Sequence, residues 1–287
     1  MPGRAVATIV VGIIAAEFAA GCARNAKPTG AEIVAKNAAA RGGLEAWRKV
    51  QTMVWIGHIE STHTPLPKLP FTLEQKRPNR TRLEINAAGE KSMRVFDGVR
   101  GWRLRMQHGR PDVQPYTPQE ARFAQTARGI DGPLIDSAAK GYPVTLEGVD
   151  EIGERKAYHL SVRLPKGGNE DVWVDAKTFL DVRYDRIADG PAGAQRRVSV
   201  RYGDYRAVDG LQIPFLIQTG TGSGTSPDRM QIDRVVLNAP LDDAMFESPA
   251  ATHPPSTRAR PGAVSHAPGS APSSTAPETP AGEWVNQ

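Results

Sequence analysis

The sequence predicts a mainly β protein built on an antiparallel sheet, and two observations support this class. Most segments between residues 52 and 238 alternate apolar and polar side chains, which is typical of strands with one buried face. Asp-Gly pairs and other turn residues separate these segments at short intervals. Short strands at this spacing favour a barrel or a strongly curved sheet.

A helix is predicted before the first strand, because apolar residues recur at helical spacing until Gly42-Gly43 interrupts them. A second interruption of the strand pattern falls at 117–141. There the sequence predicts one helix, a Gly-Pro break and a second short helix. In the helix predicted before the first strand, the apolar face consists of Ile33, Val34, Ala38 and Leu44.

About eleven strands are predicted around these helices, with hairpin turns at Asp97-Gly98 and Asp209-Gly210. In one of them, Trp102 and Leu104 alternate with Arg103 and Arg105. This alternation is typical of a sheet with one face packed against the core and one face exposed to solvent. The predicted strands are TMVWIGHIE, FTLEQK, TRLEI, SMRVFDG, GWRLRMQ, YHLSVRL, EDVWVDA, TFLDVRYDRI, RRVSVRYGDYRAV, LQIPFLIQTG and DRMQIDRVVLN.

The first residues of the chain have the features of an export signal. Arg4 precedes a short apolar run, and the small residues Ala19-Ala20-Gly21 lie directly before Cys22, the only cysteine. The apolar run is too short to span a bilayer. A lone cysteine cannot form an internal disulfide or, without partners, a zinc site.

This order of segments resembles the bacterial lipoprotein signal. We therefore predict a signal peptide at 1–21 and a tether at 22–29. The resemblance implies that Cys22 becomes the first mature residue and carries acyl chains. It also implies outer-membrane delivery with the protein facing the periplasm, because Ala23 rather than an aspartate follows the cysteine. A buried free cysteine and a plain secretory signal are the alternatives.

The composition limits the kinds of partner. The formal net charge of +5 comes from arginine-rich positions spread along the chain. It suits contact with anionic lipid headgroups or an ordinary solvated basic surface, and no nucleic-acid partner is predicted. Residues 250–287 are rich in Pro, Ala, Ser, Thr and Gly, so we predict a disordered tail.

Taken in order, several stretches of 30–249 resemble the LolA/LolB-type outer-membrane lipoprotein-sorting proteins. The resemblance implies an incomplete antiparallel barrel whose concave side is covered by helices, with an apolar space for acyl chains. The stretches are AARGGLEAWRKVQTMVWIG, RPNRTRLEI, VFDGVRGWRL, GIDGPLIDSAAKG, YHLSVRLPKGG, VWVDAKTFLDVRY, YGDYRAVDGLQIPF and VVLNAPLDDAMFESP.

Apolar side chains at strand spacing, together with two from the middle insert, are the candidates for lining such a cavity. The alternative is that they fill a solid core, because apolar stripes at this spacing are more often core than ligand contacts. The candidates are Trp55, Phe71, Leu73, Leu83, Trp102, Leu104, Leu134 and Ile135.

No catalytic constellation is evident, so we expect a protein that is not an enzyme and needs no cofactor. His58, Glu60 and His63 form an H-x-E-x-x-H pattern, but a structural role is favoured over a metal site because the strand ends at THTPLP. The glycine-rich GTGSGT lacks the Lys and Ser/Thr of a phosphate loop.

The expected function follows from the two resemblances. It is an envelope lipoprotein, held at the membrane by its own lipid, that binds an acyl chain of a lipoprotein or a lipid. Other envelope lipoproteins are the expected protein partners. The alternatives are a protein-binding scaffold or stress-sensing module that uses the same fold, and an enzyme.

Overall fold

The structure is a computed structural model that describes residues 27–61, 66, 68–107, 109–126, 129–165, 167–189, 195–221 and 228–249. The predicted signal peptide, Cys22 and the predicted tail at 250–287 lie outside the described residues. None of the helices within the described ranges is long and apolar enough to cross a membrane.

The described residues form three α-helices, one 3-10 helix and thirteen strands. The helices are α1 (Gly30–Ala40), α2 (Leu44–Lys49), α3 (Pro118–Thr126) and the 3-10 helix Asp243–Phe246. The strands are β1 (Thr52–Glu60), β2 (Leu69–Lys76), β3 (Arg80–Ala87), β4 (Glu90–Phe96), β5 (Gly101–Gln107), β6 (Arg110–Pro115), β7 (Val144–Ile152), β8 (Arg155–Arg163), β9 (Asn169–Asp175), β10 (Asp181–Asp189), β11 (Gln195–Val208), β12 (Leu211–Thr221) and β13 (Asp228–Leu237).

All of these strands belong to one antiparallel sheet, in the order β6-β5-β4-β3-β2-β1-β13-β12-β11-β10-β9-β8-β7. Neighbouring strands are consecutive in the sequence everywhere except at the junction of β1 with β13, which joins two meanders. The edge strands β6 and β7 do not pair with each other, so the sheet stays open. The predicted mainly β, incomplete-barrel architecture is confirmed.

The two strands that the sequence pattern did not predict are the edge strands β6 and β7. Neither has a fully buried residue in its burial pattern, which in β7 alternates only between half-buried and exposed positions. Pro111 and Pro115 lie in β6, and proline is tolerated on an edge strand because it donates no ladder hydrogen bond. The predicted number of about eleven strands is therefore two too low.

One face of the sheet, which we call the concave face, carries the core. The helices α1 and α2 pack on it through Ile33 and Trp47, which are buried in the main apolar cluster. The predicted break between these helices is confirmed: Gly42 and Gly43 have φ of 108° and 94°, a region that favours glycine. Thr29 and Glu32 form a capping box at the start of α1.

Residues 129–141, which we call the covering segment, also lie on the concave face. The first predicted helix of this region is α3, but the second is wrong: the covering segment is a run of turns. Gly129, Gly132 and Gly141 all have positive φ, which a continuous α-helix does not allow. Its apolar residues Ile130, Leu134 and Ile135 are nevertheless buried in the main cluster.

Candidate functional site

A cavity of about 60 Å³ lies between the concave face and the covering elements. Most of its wall is apolar, but one end is polar. The apolar wall includes Trp47, Trp55, Leu73, Ile130, Ile213 and Ile232, and the polar end consists of Arg41, Asp181, Tyr202 and Tyr205.

The apolar wall follows from strand register. Trp55 of β1 lies opposite Leu73 of β2 and Val235 of β13, and Leu73 lies opposite Leu83 of β3. Residues directly opposite on neighbouring strands share one face of a sheet. Trp55, which is half-buried, donates from Nε1 to Oε1 of Gln75 at 3.0 Å, so its indole has a polar partner beside the cavity.

At the polar end, a buried ion pair joins α1 to the sheet. Nη1 of Arg41 lies 3.3 Å from Oδ2 of Asp181. The Asn37 amide donates to Oδ1 of Asp181 at 2.9 Å, and the Tyr205 hydroxyl donates to the Asp181 carbonyl at 3.0 Å. The Arg41 guanidinium also lies over the Trp47 ring, 4.3 Å from its centroid.

Burial dominates the protonation behaviour at this end of the cavity. It raises the pKa of Asp181 above its usual value, against the opposing effects of Arg41 and Asn37. Burial also raises the pKa values of Tyr202 and Tyr205, and the Asp181 charge adds to this effect. Both phenols therefore stay neutral at physiological pH and remain hydrogen-bond donors.

Ion pairs fasten the covering segment at two points. Near its start, the Asp131 carboxylate accepts hydrogen bonds from Arg77 and, at 2.6 Å, from Lys140. Further along, Asp136 accepts two hydrogen bonds from Arg48 of α2, at 3.0 and 2.8 Å. Burial alone would raise the pKa of Asp131, but hydrogen bonds from Arg77 and Lys140 outweigh it and the pKa is lowered.

Six of the eight predicted cavity residues lie on the concave face or its cover. Trp55 and Leu73 line the cavity. Phe71, Leu83, Leu134 and Ile135 belong to the apolar cluster around it without being part of its wall. Contact of these six side chains with a ligand stays a prediction.

The remaining two candidates, Trp102 and Leu104, lie on the opposite, convex face. Leu104 is opposite Met93, whereas Leu83 is opposite Arg94, so Leu104 and Leu83 lie on different faces. Trp102 shares the face of Leu104. The expectation that these two side chains point into the cavity is therefore corrected: in β5 the charged side of the alternation is the concave one.

Four residues of the polar end were not anticipated from the sequence: Arg41, Asp181, Tyr202 and Tyr205. They come from three separate stretches of chain, so no local spacing indicates that they meet. A further tryptophan, Trp173 of β9, lies outside the wall of this cavity. It is 6% exposed, stacks on His159 with ring centroids 4.5 Å apart and donates to Asp150 at 2.7 Å.

The H-x-E-x-x-H pattern does not form a cluster in the described part of the chain. His58 Nε2 lies 3.5 Å from Glu60 and its Nδ1 lies 3.7 Å from Asp233, while His63 is outside the described residues. No group of three His, Cys, Asp or Glu side chains among the described residues could hold a metal ion.

The size of the cavity limits what it can hold. An engineered apolar cavity of about 150 Å³ binds benzene, and ligand pockets commonly measure about 300–1,000 Å³. At about 60 Å³, the present cavity is too small for a hydrocarbon chain unless the covering elements move. The space beneath the covering elements is thus not completely filled by side chains, but it is too small for an acyl chain.

No protein-family model matches the sequence, and no curated protein matches it. Among solved structures, the fold is similar to a domain from Vibrio parahaemolyticus described as an outer membrane lipoprotein-sorting protein. The TM-score is 0.51 at 9% identity, over 76% of this chain and 95% of that one. At this identity, the likeness shows the fold alone.

Two further structures align over most of this chain with lower scores. A LolA superfamily protein from Nitrosomonas europaea has a TM-score of 0.48 at 14% identity, covering 77% of this chain and 98% of that one. A DUF1329 family protein from Desulfovibrio piger also scores 0.48, at 15% identity, covering 75% and 97%. The fold is an incomplete antiparallel barrel similar to that of the lipoprotein-sorting domain, and the resemblance predicted from the sequence is confirmed at the level of the fold.

Proposed function

We propose that this protein is a cell-envelope lipoprotein that binds an acyl chain, from a lipid or from another lipoprotein, without catalysing a reaction. The observation that carries the proposal is the unfilled cavity between the apolar row of the concave face and the covering segment. Transfer of an acyl chain into such a space is driven by about 0.8 kcal/mol for each buried methylene.

Binding requires the covering segment to move outward, because the present volume is too small for a chain. The segment is suited to this movement. It is attached to its surroundings by side-chain ion pairs and apolar packing, and not by strand pairing. The Arg48–Asp136 pair is the more exposed one, and ion pairs near a surface are weak and can re-form after opening. The Asp131 carboxylate is buried, so opening must also break its stronger contacts. The sheet beneath stays fixed by its ladder of backbone hydrogen bonds.

The proposal includes the lipid anchor at Cys22 and a location at the outer membrane facing the periplasm, which rest on the sequence pattern. A protein anchored by several acyl chains stays at the membrane, since two or more such anchors make attachment stable. This favours an acceptor or a local chaperone for acylated molecules over a freely diffusing carrier. The expected partners are acyl chains or lipids and other envelope lipoproteins.

Native mass spectrometry of the full chain released from detergent, followed by extraction and analysis of bound lipid, tests this function. We expect a stoichiometric acyl species that a fluorescent fatty acid displaces. The protein-binding scaffold predicts the opposite result. A clean mass without lipid, together with failure to take up the fluorescent fatty acid, would contradict acyl-chain binding.

A further inference from the structure

The apolar row on the concave face changes character abruptly at β4. From β1 to β3 it consists of Trp55, Leu73 and Leu83, each opposite the next. The next positions across the sheet are Arg94 of β4 and Arg103 of β5. With strands spaced about 4.8 Å apart, the row runs roughly 14 Å from Trp55 to Arg94. This continuous row of side chains is therefore apolar at one end and basic at the other.

The basic end places like charges next to each other on neighbouring strands. Arg94 and Arg103 lie directly opposite each other, an arrangement that destabilises a sheet when the charges are alike. Arg105, two residues further along β5, faces the same side. Arg105 lies opposite Asp112 of β6, whereas Arg94 and Arg103 share a single carboxylate, that of Glu120.

Glu120 reaches this site from α3, which covers it. Its Oε1 lies 3.0 Å from Nη1 of Arg94 and 3.5 Å from Nη1 of Arg103. Burial alone would raise the pKa of Glu120, but hydrogen bonds from Thr117 and the charge of Arg94 lower it, so the group is an anion at neutral pH. A carboxylate thus occupies the position between the two guanidinium groups.

Two further contacts join α3 to the rest of the fold. Besides the Glu120 pairs, Asn79 donates to the Ala124 carbonyl at 3.0 Å, and the Arg186 guanidinium lies 4.2 Å from the Phe123 ring centroid. A second cavity, of about 20 Å³, lies where the basic and apolar parts of the row meet. Its lining includes Leu83, Ile85, Ser92, Arg94, Arg103 and Arg105.

We infer that the concave face beneath α3 binds a phosphate-bearing lipid headgroup, with the acyl chain lying along Leu83, Leu73 and Trp55. This inference rests on the proposed function and names its ligand class. Arginine suits the task, because its planar fork makes paired hydrogen bonds to phosphate oxygens. The phosphate replaces the Glu120 carboxylate between Arg94 and Arg103, and α3 moves aside with its glutamate.

The test compares two single-chain lipids of equal chain length, lysophosphatidylglycerol and neutral monoacylglycerol, by displacement of a fluorescent fatty acid from the full chain. We expect the phospholipid to bind about tenfold more tightly. The double substitution R94Q/R103Q should remove that preference, so that the two lipids bind with similar affinity, because the charged contacts to the phosphate are lost. Inorganic phosphate alone should compete weakly, whereas strong competition would identify free phosphate as the ligand and overturn the lipid headgroup.

Two further variants separate this role from a structural one. E120Q retains the capping box with Thr117, since glutamine serves at that position, but removes the competing charge. It should tighten phospholipid binding severalfold, which a purely structural glutamate would not do. R82Q on the convex face, where Arg82 pairs with Glu74 and Glu84, is the matched control and should leave the preference intact.

The two proposals fail in different ways. Equal binding of both lipids, unchanged in R94Q/R103Q and in E120Q, overturns the headgroup site and leaves acyl-chain binding standing. Absence of binding by either lipid overturns the proposed function, and the headgroup site with it.

Discussion

Arg41 and Asp181 face each other across the polar end of the cavity, 3.3 Å apart, and each side chain is only 8% exposed. The pair links the end of α1 to the start of β10. Charges at this depth are stable in the fold only because each compensates the other, since an unpaired buried charge is costly. The packing of α1 against the sheet therefore depends on both residues being present together.

The first prediction concerns this pair. R41M and D181N should each lower the free energy of unfolding by about 3–5 kcal/mol, because each leaves one buried group without its partner. The double variant R41M/D181N should recover part of the loss. Denaturant unfolding of the four proteins, combined in a double-mutant cycle, measures the coupling. Strictly additive losses would show that the two side chains do not stabilise each other.

The second prediction concerns pH and Asp131 of the covering segment. Because its pKa is lowered in the folded protein, the stabilisation by Asp131 is complete above the unfolded pKa of about 3.9. It should be lost as the pH falls through the lower folded value. D131N should cost about 1–3 kcal/mol at neutral pH and should flatten the acid limb of the stability curve. Unfolding measured from pH 7 to pH 2 checks both statements.

A local readout distinguishes opening of the segment from global unfolding. In D131N, amide hydrogen exchange should accelerate within 129–141 before it does in the central strands. D136N is the comparison, because Asp136 is more exposed and its loss from the Arg48 pair should have a smaller effect. Equal acceleration throughout the sheet in D131N would contradict a local role.

The third prediction tests whether the cavity is the binding space. L73F places extra carbon atoms into the cavity, so it should reduce uptake of a fluorescent fatty acid at a cost below about 1 kcal/mol. Leu160 is fully buried in the same core but does not line the cavity. L160F should therefore cost about 1–3 kcal/mol and leave uptake unchanged in the folded fraction. Identical uptake in both variants would place the ligand elsewhere.

The fourth prediction concerns the contact of α1 with the edge strand β7. Helix propensity favours alanine over glycine at Gly30 by up to about 1 kcal/mol. A Cβ there would lie 2.7 Å from the Val144 carbonyl oxygen, so we expect G30A to destabilise the protein by about 1–3 kcal/mol. Gly148 of the same strand has open space around it, and G148A should be neutral or stabilising. Thermal unfolding of both variants decides between propensity and packing.

The parts of the fold that the sequence predicted are those with a strong local pattern. The strand around Leu83 alternates clearly, because its buried residues Thr81, Leu83 and Ile85 are separated by charged residues. The edge strands lack this contrast, because neither of them has a fully buried residue. The sequence predicted a helix in the covering segment, but the structure has a run of turns there. These turns bury Leu134 and Ile135 without a helix.

The site was predictable only in part, for a similar reason. Alternation identified Trp55 and Leu73 as sharing a face, and both line the cavity. It could not show which face of β5 is concave, because a period of two is the same from either side. The concave arginines Arg94 and Arg103 become interpretable only when α3 brings Glu120 against them.

The pairing of β1 with β13 has a consequence for how the chain reaches its native state. The first strand of the sheet needs the last one as a partner, so its outer ladder stays unsatisfied until nearly the whole domain has been synthesised. Contacts between such distant parts of a sequence slow folding. An unfinished chain exposes an unpaired strand edge, which makes it prone to aggregation until the last strand is available.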